Sequence, residues 1–289
     1  MTRRTWPTAR IGAVGLENSH VGHFVKHLNV EGRHPGFTVT ALVGGDAEQS
    51  DRLRALGNGL VTHVVEDPAE LIGHVDAAII CTRDGALHVK QALPLLEAGV
   101  PLLVDKPLAT TVQEAQLMID VAGQHDTVLM SRSAQRAAPE LDPLQESSTV
   151  RGDTVCVNVI GPADPDSEYS GLTFYGIHEI EAALAITGDG TLGEVTVERV
   201  EGAVVAMTTV NGIAVVITFV VAEGEQDLGF HATVIGRRGV THTRLSAEQR
   251  QHAVTLDLFI DMLRTGEPPT DYATMLRSIQ LLEAVTSQL

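Results

Sequence analysis

The feature that most constrains this chain is a repeated alternation of apolar, strand-like runs with helix-like segments between residues 8 and 130. The apolar runs, such as "AAIIC" at 77–81, are continuous, which is typical of strands buried on both faces of a sheet. Strands that are each followed by an amphipathic helix predict an α/β fold with a parallel sheet. The predicted strands cover residues 8–14, 37–43, 61–65, 77–81, 101–104 and 127–130, and the predicted helices cover 19–30, 46–56, 85–98 and 111–122.

The pattern changes near residue 150, where strand-like runs follow one another with short turns between them. The run "VTVERVEGAVVAMTTVNGIAVVITFVV" contains an Asn-Gly turn signal, and further strands are predicted in "TVCVNVI" and "DLGFHATVIGRRGVTHTRL". One helix near 175–187 interrupts these strands, and two helices, near 247–264 and 272–288, follow them. We therefore predict a doubly wound parallel sheet over residues 1–131. An α+β domain with a mostly antiparallel sheet follows over 132–289, and its last helix is free to pack back on the first domain.

Composition argues against several classes of protein. The formal net charge of −17 opposes binding to nucleic acid or to anionic membranes, since such binding needs cationic contacts. No stretch approaches the roughly 18 consecutive apolar residues of a spanning helix, and "MTRRTWPTAR" has no apolar signal core behind it. The only cysteines, Cys81 and Cys156, lack CxxC spacing, so we expect neither a disulfide framework nor a structural zinc site. We expect a cytoplasmic protein with a small-molecule substrate and, at 3% aromatic residues, few stacking surfaces.

A ligand site is expected at one edge of the parallel sheet. Doubly wound sheets bind ligands beyond the carboxyl ends of their strands, where the strand order reverses. Polar or glycine-rich stretches follow four predicted strands, at residues 15–20, 44–46, 83–84 and 105–106. In "RIGAVGLENSHVGHF", Gly15 ends a strand before a helix that Asn18 or Ser19 can cap. A dinucleotide loop would also have glycine at positions 17 and 20, which are Glu17 and His20 here.

Residues 76–122, "DAAIICTRDGALHVKQALPLLEAGVPLLVDKPLATTVQEAQLMIDVA", resemble the glucose–fructose oxidoreductase, inositol dehydrogenase and MocA-like (Gfo/Idh/MocA) family. The family's Asp, Thr-Pro-Asn, His, Leu-Glu-Ala-Gly and Glu-Lys-Pro positions are matched in register. They are Asp76, "TRD" at 82–84, His88, "LEAG" at 96–99 and "DKP" at 105–107. Further on, "YGIHEIEAALAITG" resembles the family's Gly-x-His-x-x-Asp segment, with Gly176, His178 and Glu181. The resemblance implies a Rossmann-type first domain and NAD(P)-dependent hydride transfer to or from a sugar, polyol or related hydroxy compound.

The resemblance also implies roles for single residues. Lys106 matches the lysine that hydrogen-bonds the reacting oxygen, where a cation stabilises the charge that develops as the hydroxyl proton leaves. His178 matches the histidine that acts as acid or base, and His88 matches a residue near the nicotinamide. The simpler alternatives are a solvated charge for Lys106 and packed or capping histidines for the other two. The implied cofactor is NAD or NADP, without a metal, and its expected binding residues are Gly15, Leu16, Glu17, Asn18, Ser19, His20, Gly44, Asp46, Thr82, Arg83, His88 and Asp105.

Two departures from the family pattern concern charge at the glycine loop. Glu17 would place a carboxylate near two phosphates, and like charges 4 Å apart repel by about 4 kcal/mol at an effective dielectric constant of 20. Arg83 stands where the family has proline. Because the first and fourth strands are neighbours in this fold, we predict that Arg83 contacts Glu17 or a phosphate.

Two further departures remove a carboxylate. Gly44 replaces the acidic residue that would bind the adenosine ribose, and Asp46 is the nearest substitute. Phe174 stands where the family often has an Asp, four residues before the histidine. The candidate replacements are Glu168, Glu179 and Glu181.

Other functions remain open at this point. His20, His23 and His27 share one predicted helix face and, with Glu17, form a candidate metal set, although a solvated or inter-helix face is the simpler interpretation. A degenerate family member could bind a small ligand or a protein partner without redox turnover. A non-redox enzyme could reuse the cleft. The resemblance also implies a homodimer or homotetramer, joined through the open face of the second sheet.

Overall fold

The computed structural model describes residues 4–146, 151–223, 228–246 and 250–289, and these residues form two compact units. The first unit is drawn from Met1–Ala109, Gln113–Arg132 and His252–Tyr272. The second is drawn from Thr110–Val112, Ser133–Gln251 and Ala273–Leu289. The division at residue 131 stays a prediction. Among the described residues, no helix combines the length and the apolar character needed to cross a bilayer.

The elements follow the predicted order closely. The strands are β1 (Ala9–Val14), β2 (Phe37–Val43), β3 (His63–Val65), β4 (Ala77–Ile80), β5 (Leu102–Val104), β6 (Leu129–Met130), β7 (Thr154–Pro162), β8 (Thr196–Val200), β9 (Ala203–Val210), β10 (Ile213–Val220), β11 (Phe230–Gly236) and β12 (Val240–Leu245). The α-helices are α1 (Ser19–Val25), α2 (Ala47–Leu56), α3 (His88–Glu97), α4 (Val112–Gln124), α5 (Leu141–Glu146), α6 (Thr173–Thr187), α7 (Arg250–Thr265) and α8 (Tyr272–Thr286).

The first unit contains a six-stranded parallel sheet in the order β3-β2-β1-β4-β5-β6. The chain builds outward from β1 in one direction, to β3, and then returns to add β4 on the other side. The strand order therefore reverses between β1 and β4, which puts the carboxyl ends of these two strands side by side. The predicted doubly wound parallel sheet is confirmed.

Side-chain caps start the helices that lead away from this sheet. Asn18 accepts a hydrogen bond from the backbone N–H of His20 at the start of α1, and Asp46 accepts one from Gln49 at the start of α2. The predicted helix over 19–30 is an α-helix only as far as Val25. It continues as a π-helix over Lys26–Val30, a departure that the apolar periodicity does not encode.

The penultimate helix, α7, completes the core of the first unit. Phe259, Ile260 and Leu263 of α7 are fully buried in the same apolar cluster as residues of β1 and α1. Asp257 of α7 also accepts hydrogen bonds from Arg33, at 2.7 and 2.6 Å, and contacts His34 at 2.7 Å. The first unit is therefore assembled from segments more than 200 residues apart.

The second unit contains a six-stranded sheet in the order β12-β11-β7-β10-β9-β8. Only the β7–β10 pair is parallel, so the prediction of a mostly antiparallel sheet is confirmed. The alternation along each strand buries one face, with Val157 and Val159 of β7 fully covered, and α6 packs on that face against β7 and β10. The opposite face stays partly exposed, as Met207 and Val216 illustrate.

The packing of α7 predicts how two substitutions in this helix change the free energy of unfolding. Phe259→Ala removes a fully buried ring from the core of the first unit and should lower the free energy of unfolding by about 3–5 kcal/mol. Val254→Ala changes an exposed position of the same helix and should cost no more than about 0.5 kcal/mol. Urea unfolding followed by circular dichroism measures both variants. Equal losses in the two would contradict this packing of α7.

Candidate functional site

The candidate site begins where the ends of β1 and β4 meet. Gly15 has a φ of +85°, in the left-handed region. A Cβ atom at this position would lie 2.3 Å from the backbone nitrogen of Thr82 and 2.6 Å from the carbonyl carbon of Cys81. Only glycine fits this approach. The first glycine of the loop is therefore required by the packing of the two strand ends, independently of any ligand.

Glu17, at the position of the second glycine, contacts the end of β4. Its Oε1 accepts a hydrogen bond of 3.0 Å from the backbone N–H of Arg83. This contact is made by the backbone of Arg83, and the predicted charge compensation by the Arg83 side chain stays a prediction. An N–H donor stabilises the carboxylate locally, so Glu17 is part of the loop's own hydrogen bonding.

Asn18 connects three strand ends. Its Oδ1 accepts from the backbone N–H of His20 at 3.0 Å, while its Nδ2 donates to the carbonyl oxygen of Cys81 at 2.8 Å. The same amide nitrogen reaches a carboxylate oxygen of Asp105 at 3.5 Å. Of the two predicted caps for α1, the structure selects Asn18. Its side chain holds the carboxyl ends of β1, β4 and β5 together.

His20, at the position of the third glycine, forms a hydrogen bond with Asp105. The His20 Nδ1 and Asp105 Oδ2 atoms lie 2.7 Å apart, and both side chains are largely buried. Burial alone would raise the pKa of Asp105, but the positive charges of His20 and Lys106 outweigh it and hold that pKa well below its usual range. Asp105 therefore carries a negative charge at neutral pH.

A histidine from α7 covers this pair. The ring of His252 lies 4.2 Å from that of His20 and stacks on that of His23 at 4.7 Å, measured between ring centroids. Burial, followed by the charges of His20 and His23, lowers the pKa of His252 to about 3, so this ring is neutral at physiological pH. Sequence analysis missed His252 because it lies more than 220 residues from the loop it covers.

The shared face of His20, His23 and His27 is divided between two kinds of contact. His20 and His23 face α7, whereas His27 forms a 2.7 Å hydrogen bond with Glu31. The inter-helix interpretation therefore describes the first two residues. In the part of the chain that the structure describes, no group of three or more His, Cys, Asp and Glu residues is placed to hold a metal ion.

Lys106 lies two residues after the end of β5, and His88 is the first residue of α3. Lys106 directly follows Asp105 and is 7% exposed. His88 is fully buried, with its Nδ1 2.8 Å from the carbonyl oxygen of Pro107 and its Nε2 2.9 Å from that of Thr82. His88 thereby ties the loop after β4 to the loop that carries Lys106. It packs as a connecting residue, which is the simpler of the two interpretations of its position.

The remaining predicted cofactor residues lie around the end of β2 and the start of α1. Leu16 is buried and packs against Gly45, and Ser19 is exposed in the first turn of α1. Gly44 has a φ of +70° and nothing within 4 Å of the place where a Cβ would stand. Asp46 caps α2 through one carboxylate oxygen, 2.7 Å from the Gln49 nitrogen.

His178 belongs to the second unit, on α6. Its Nδ1 lies 2.6 Å from the hydroxyl oxygen of Ser133, and the rings of Tyr175 and Phe230 pack against it at 5.5 and 5.3 Å. Glu181, one of the candidate replacements for the acid missing at residue 174, accepts a hydrogen bond of 2.9 Å from the backbone N–H of Ser133. Sequence analysis missed Ser133, which lies 45 residues before His178.

Phe174 forms part of an aromatic wall in the same unit. Its ring lies 4.9 Å from those of both Tyr169 and Tyr175. These residues line a cavity of about 410 Å³ together with the acidic residues Asp164, Asp166 and Glu168. Tyr169, Phe174 and Tyr175 thus form a local aromatic cluster, which the overall composition did not indicate.

Comparison with known proteins relates residues 9–133 to a described family. Residues 9–133 match the family described as "Oxidoreductase family, NAD-binding Rossmann fold", the Gfo/Idh/MocA family. The rhizopine catabolism protein MocA of Rhizobium meliloti is 28% identical over 152 residues, which cover 50% of this chain and 48% of that protein. An inositol 2-dehydrogenase of Rhodococcus erythropolis is 32% identical over 111 residues, 38% of this chain and 31% of that protein. The matches thus span half or less of these relatives' lengths.

Solved structures share the whole fold at low sequence identity. GenD2 from gentamicin A biosynthesis, in complex with NAD, superposes with a TM-score of 0.80 at 17% identity, over 99% of this chain and 95% of its own. The scyllo-inositol dehydrogenase of Lactobacillus casei, with bound NAD(H) and scyllo-inositol, gives 0.78 at 15% identity, over 97% and 96%. The resemblance found in the sequence is confirmed, and residues 9–133 of this chain have the NAD-binding Rossmann fold of the Gfo/Idh/MocA oxidoreductase family.

Proposed function

We propose that this protein is an NAD(P)-dependent oxidoreductase that transfers hydride to or from a sugar, polyol or related hydroxy compound. The observation that carries the proposal is Lys106, a buried cation at the carboxyl end of β5 within the family-matched segment. The relatives named as inositol 2-dehydrogenases and the solved complexes with NAD or NADP support the same class. The proposal specifies the substrate only as a hydroxy compound.

The edge of the first sheet fits a dinucleotide in two respects. Gly15 allows β1 to end against the backbone of β4, which leaves the switch point free of side chains from that residue. The space beside Gly44 is open, at the place where an adenosine ribose is expected. We assign the pyrophosphate to the loop of residues 15–20. No arginine directly follows β2, so nothing there favours the 2′-phosphate of NADP.

We assign one catalytic role to a residue of each unit, as the family resemblance implies. The bound nicotinamide supplies the hydride acceptor. Lys106 donates a hydrogen bond to the reacting oxygen, and its low exposure strengthens that interaction because water screens it little. His178 accepts the hydroxyl proton during oxidation and returns it during reduction.

Replacing Lys106 tests the proposed chemistry. Lys106→Met should lower kcat/KM by about 10²–10³-fold, because the oxygen loses the group that stabilises its charge. Lys90→Met, on the exposed surface of α3, is the matched control and should retain activity. The measurement is nicotinamide reduction with a panel of inositols, polyols and sugars. Unchanged turnover in Lys106→Met would remove this residue from the mechanism, and no turnover by the unmodified protein would favour the non-redox alternatives.

The charge at Glu17 gives a second prediction. Glu17→Gln keeps an oxygen that accepts from the Arg83 backbone N–H but removes the negative charge. Nucleotide binding should become about three- to tenfold tighter, less than the full Coulomb value because residue 17 is exposed to solvent. Calorimetric titration with NAD⁺ measures this change, and Glu97→Gln on α3 serves as the control. Weaker binding by Glu17→Gln would show that the charge itself organises the loop.

We further propose a homodimer or homotetramer joined through the open face of the second sheet. Met207 and Val216 pair across β9 and β10 on this face, and Met207 is 46% exposed. Apolar side chains exposed on a sheet face favour association. Light scattering after gel filtration would contradict the proposal if it returned the mass of one chain.

A cytoplasmic location is proposed because both cysteines are free thiols, and cell fractionation would test it.

A further inference from the structure

A buried serine contacts the histidine that is proposed to move the proton. Ser133 lies three residues after β6 and begins a short 3₁₀ turn over Ala134–Ala137. It is fully buried. A buried hydroxyl group costs free energy unless it is hydrogen-bonded, so the partners of Ser133 define what it does in the fold.

Those partners hold Ser133 on two sides. Its Oγ lies 2.6 Å from Nδ1 of His178 and accepts a hydrogen bond of 3.1 Å from the backbone N–H of Gln135. Its own backbone N–H donates to Glu181 Oε2 at 2.9 Å. Glu181 is three residues after His178, so both side chains project from the same side of α6. One helix therefore fixes both the backbone and the side chain of Ser133.

The Ser133 contact is made at Nδ1 of His178, so we assign the proton transfer to Nε2. A histidine that accepts a proton at Nε2 must keep Nδ1 protonated, and its orientation depends on the group that Nδ1 contacts. The Ser133 hydroxyl can accept from Nδ1–H and can also donate to a bare Nδ1. It can therefore hold the imidazole in either neutral tautomer and in the charged form. Unlike a carboxylate, it does so without adding a negative charge beside the ring.

We propose that Ser133 is the positioning residue for His178, in the role that a carboxylate at residue 174 would otherwise serve, and that Glu181 fixes Ser133 through its backbone. The inference rests on the proposed function, since it assigns the proton transfer to His178. Phe174 is then released to build the aromatic wall of the neighbouring cavity. Glu181 acts on His178 indirectly, by way of the backbone of residue 133.

The test compares Ser133→Ala with Ser133→Thr, which keeps the hydroxyl group. Ser133→Ala should lower kcat by about ten- to a hundredfold, the scale of a misplaced catalytic group. KM should change less than about threefold. The limb of the kcat–pH profile that reports His178 should be displaced along the pH axis. Ser133→Thr should recover most of kcat. The control is Thr187→Ala, which removes a buried hydroxyl group at the end of α6 that donates to the Ala183 carbonyl oxygen. This variant should leave kcat and the pH profile unchanged.

A readout without turnover separates this inference from the proposed function. NMR of the ring nitrogens, with His178 assigned by His178→Gln, reports its tautomer and titration directly. Ser133→Ala should change both, and Ser133→Thr should restore them. If Ser133→Ala does not fold, Ser133→Cys, with similar volume and a weaker hydrogen-bonding group, is read in the same way. The inference would be overturned if Ser133→Ala left the titration of His178 and kcat unchanged, or if Ser133→Thr lost as much as Ser133→Ala. If Ser133→Ala and Ser133→Thr change the His178 ring as expected but the unmodified protein turns over no nicotinamide, only the proposed function would be overturned.

Discussion

The approach of two strand ends determines the rest of the candidate site in the first unit. Gly15 brings the end of β1 within van der Waals distance of the backbone at Cys81 and Thr82. At that separation the Asn18 side chain can cap α1 and also bond the carbonyl oxygen of Cys81. The same proximity brings Glu17 to the backbone of Arg83. A side chain at residue 15 would push the strand ends apart and break these contacts together.

The substituted glycine positions of the loop have contacts of their own. Glu17 is bonded to a backbone N–H, and His20 is bonded to Asp105 and covered by His252. The fold thus accommodates both substitutions, and binding of an anionic dinucleotide at this edge is the proposal that remains to be tested in a chain whose net charge is −17.

The sequence predicts the fold well because burial leaves a local signal. Strands covered on both faces are continuously apolar, as in "AAII" of β4, and side chains such as Asn18 and Asp46 mark helix starts within a few residues. The site is harder to predict, because contacts between distant segments have no local pattern. His252 and Ser133 complete the surroundings of His20 and His178 from 232 and 45 residues away. The motif proposes residues to carry charge or protons, but it does not predict the distant groups that contact them.

The central claim is that the switch point between β1 and β4 still takes a nicotinamide dinucleotide despite Glu17 and His20. The most direct measurement is an isothermal titration of the purified protein, shown to be folded by circular dichroism, with NAD⁺, NADH, NADP⁺ and NADPH. The structure predicts saturable binding of at least one of them, with a Kd on the order of micromolar. The absence of binding heat and of thermal stabilisation with all four nucleotides would contradict the claim and favour a cleft that serves another ligand.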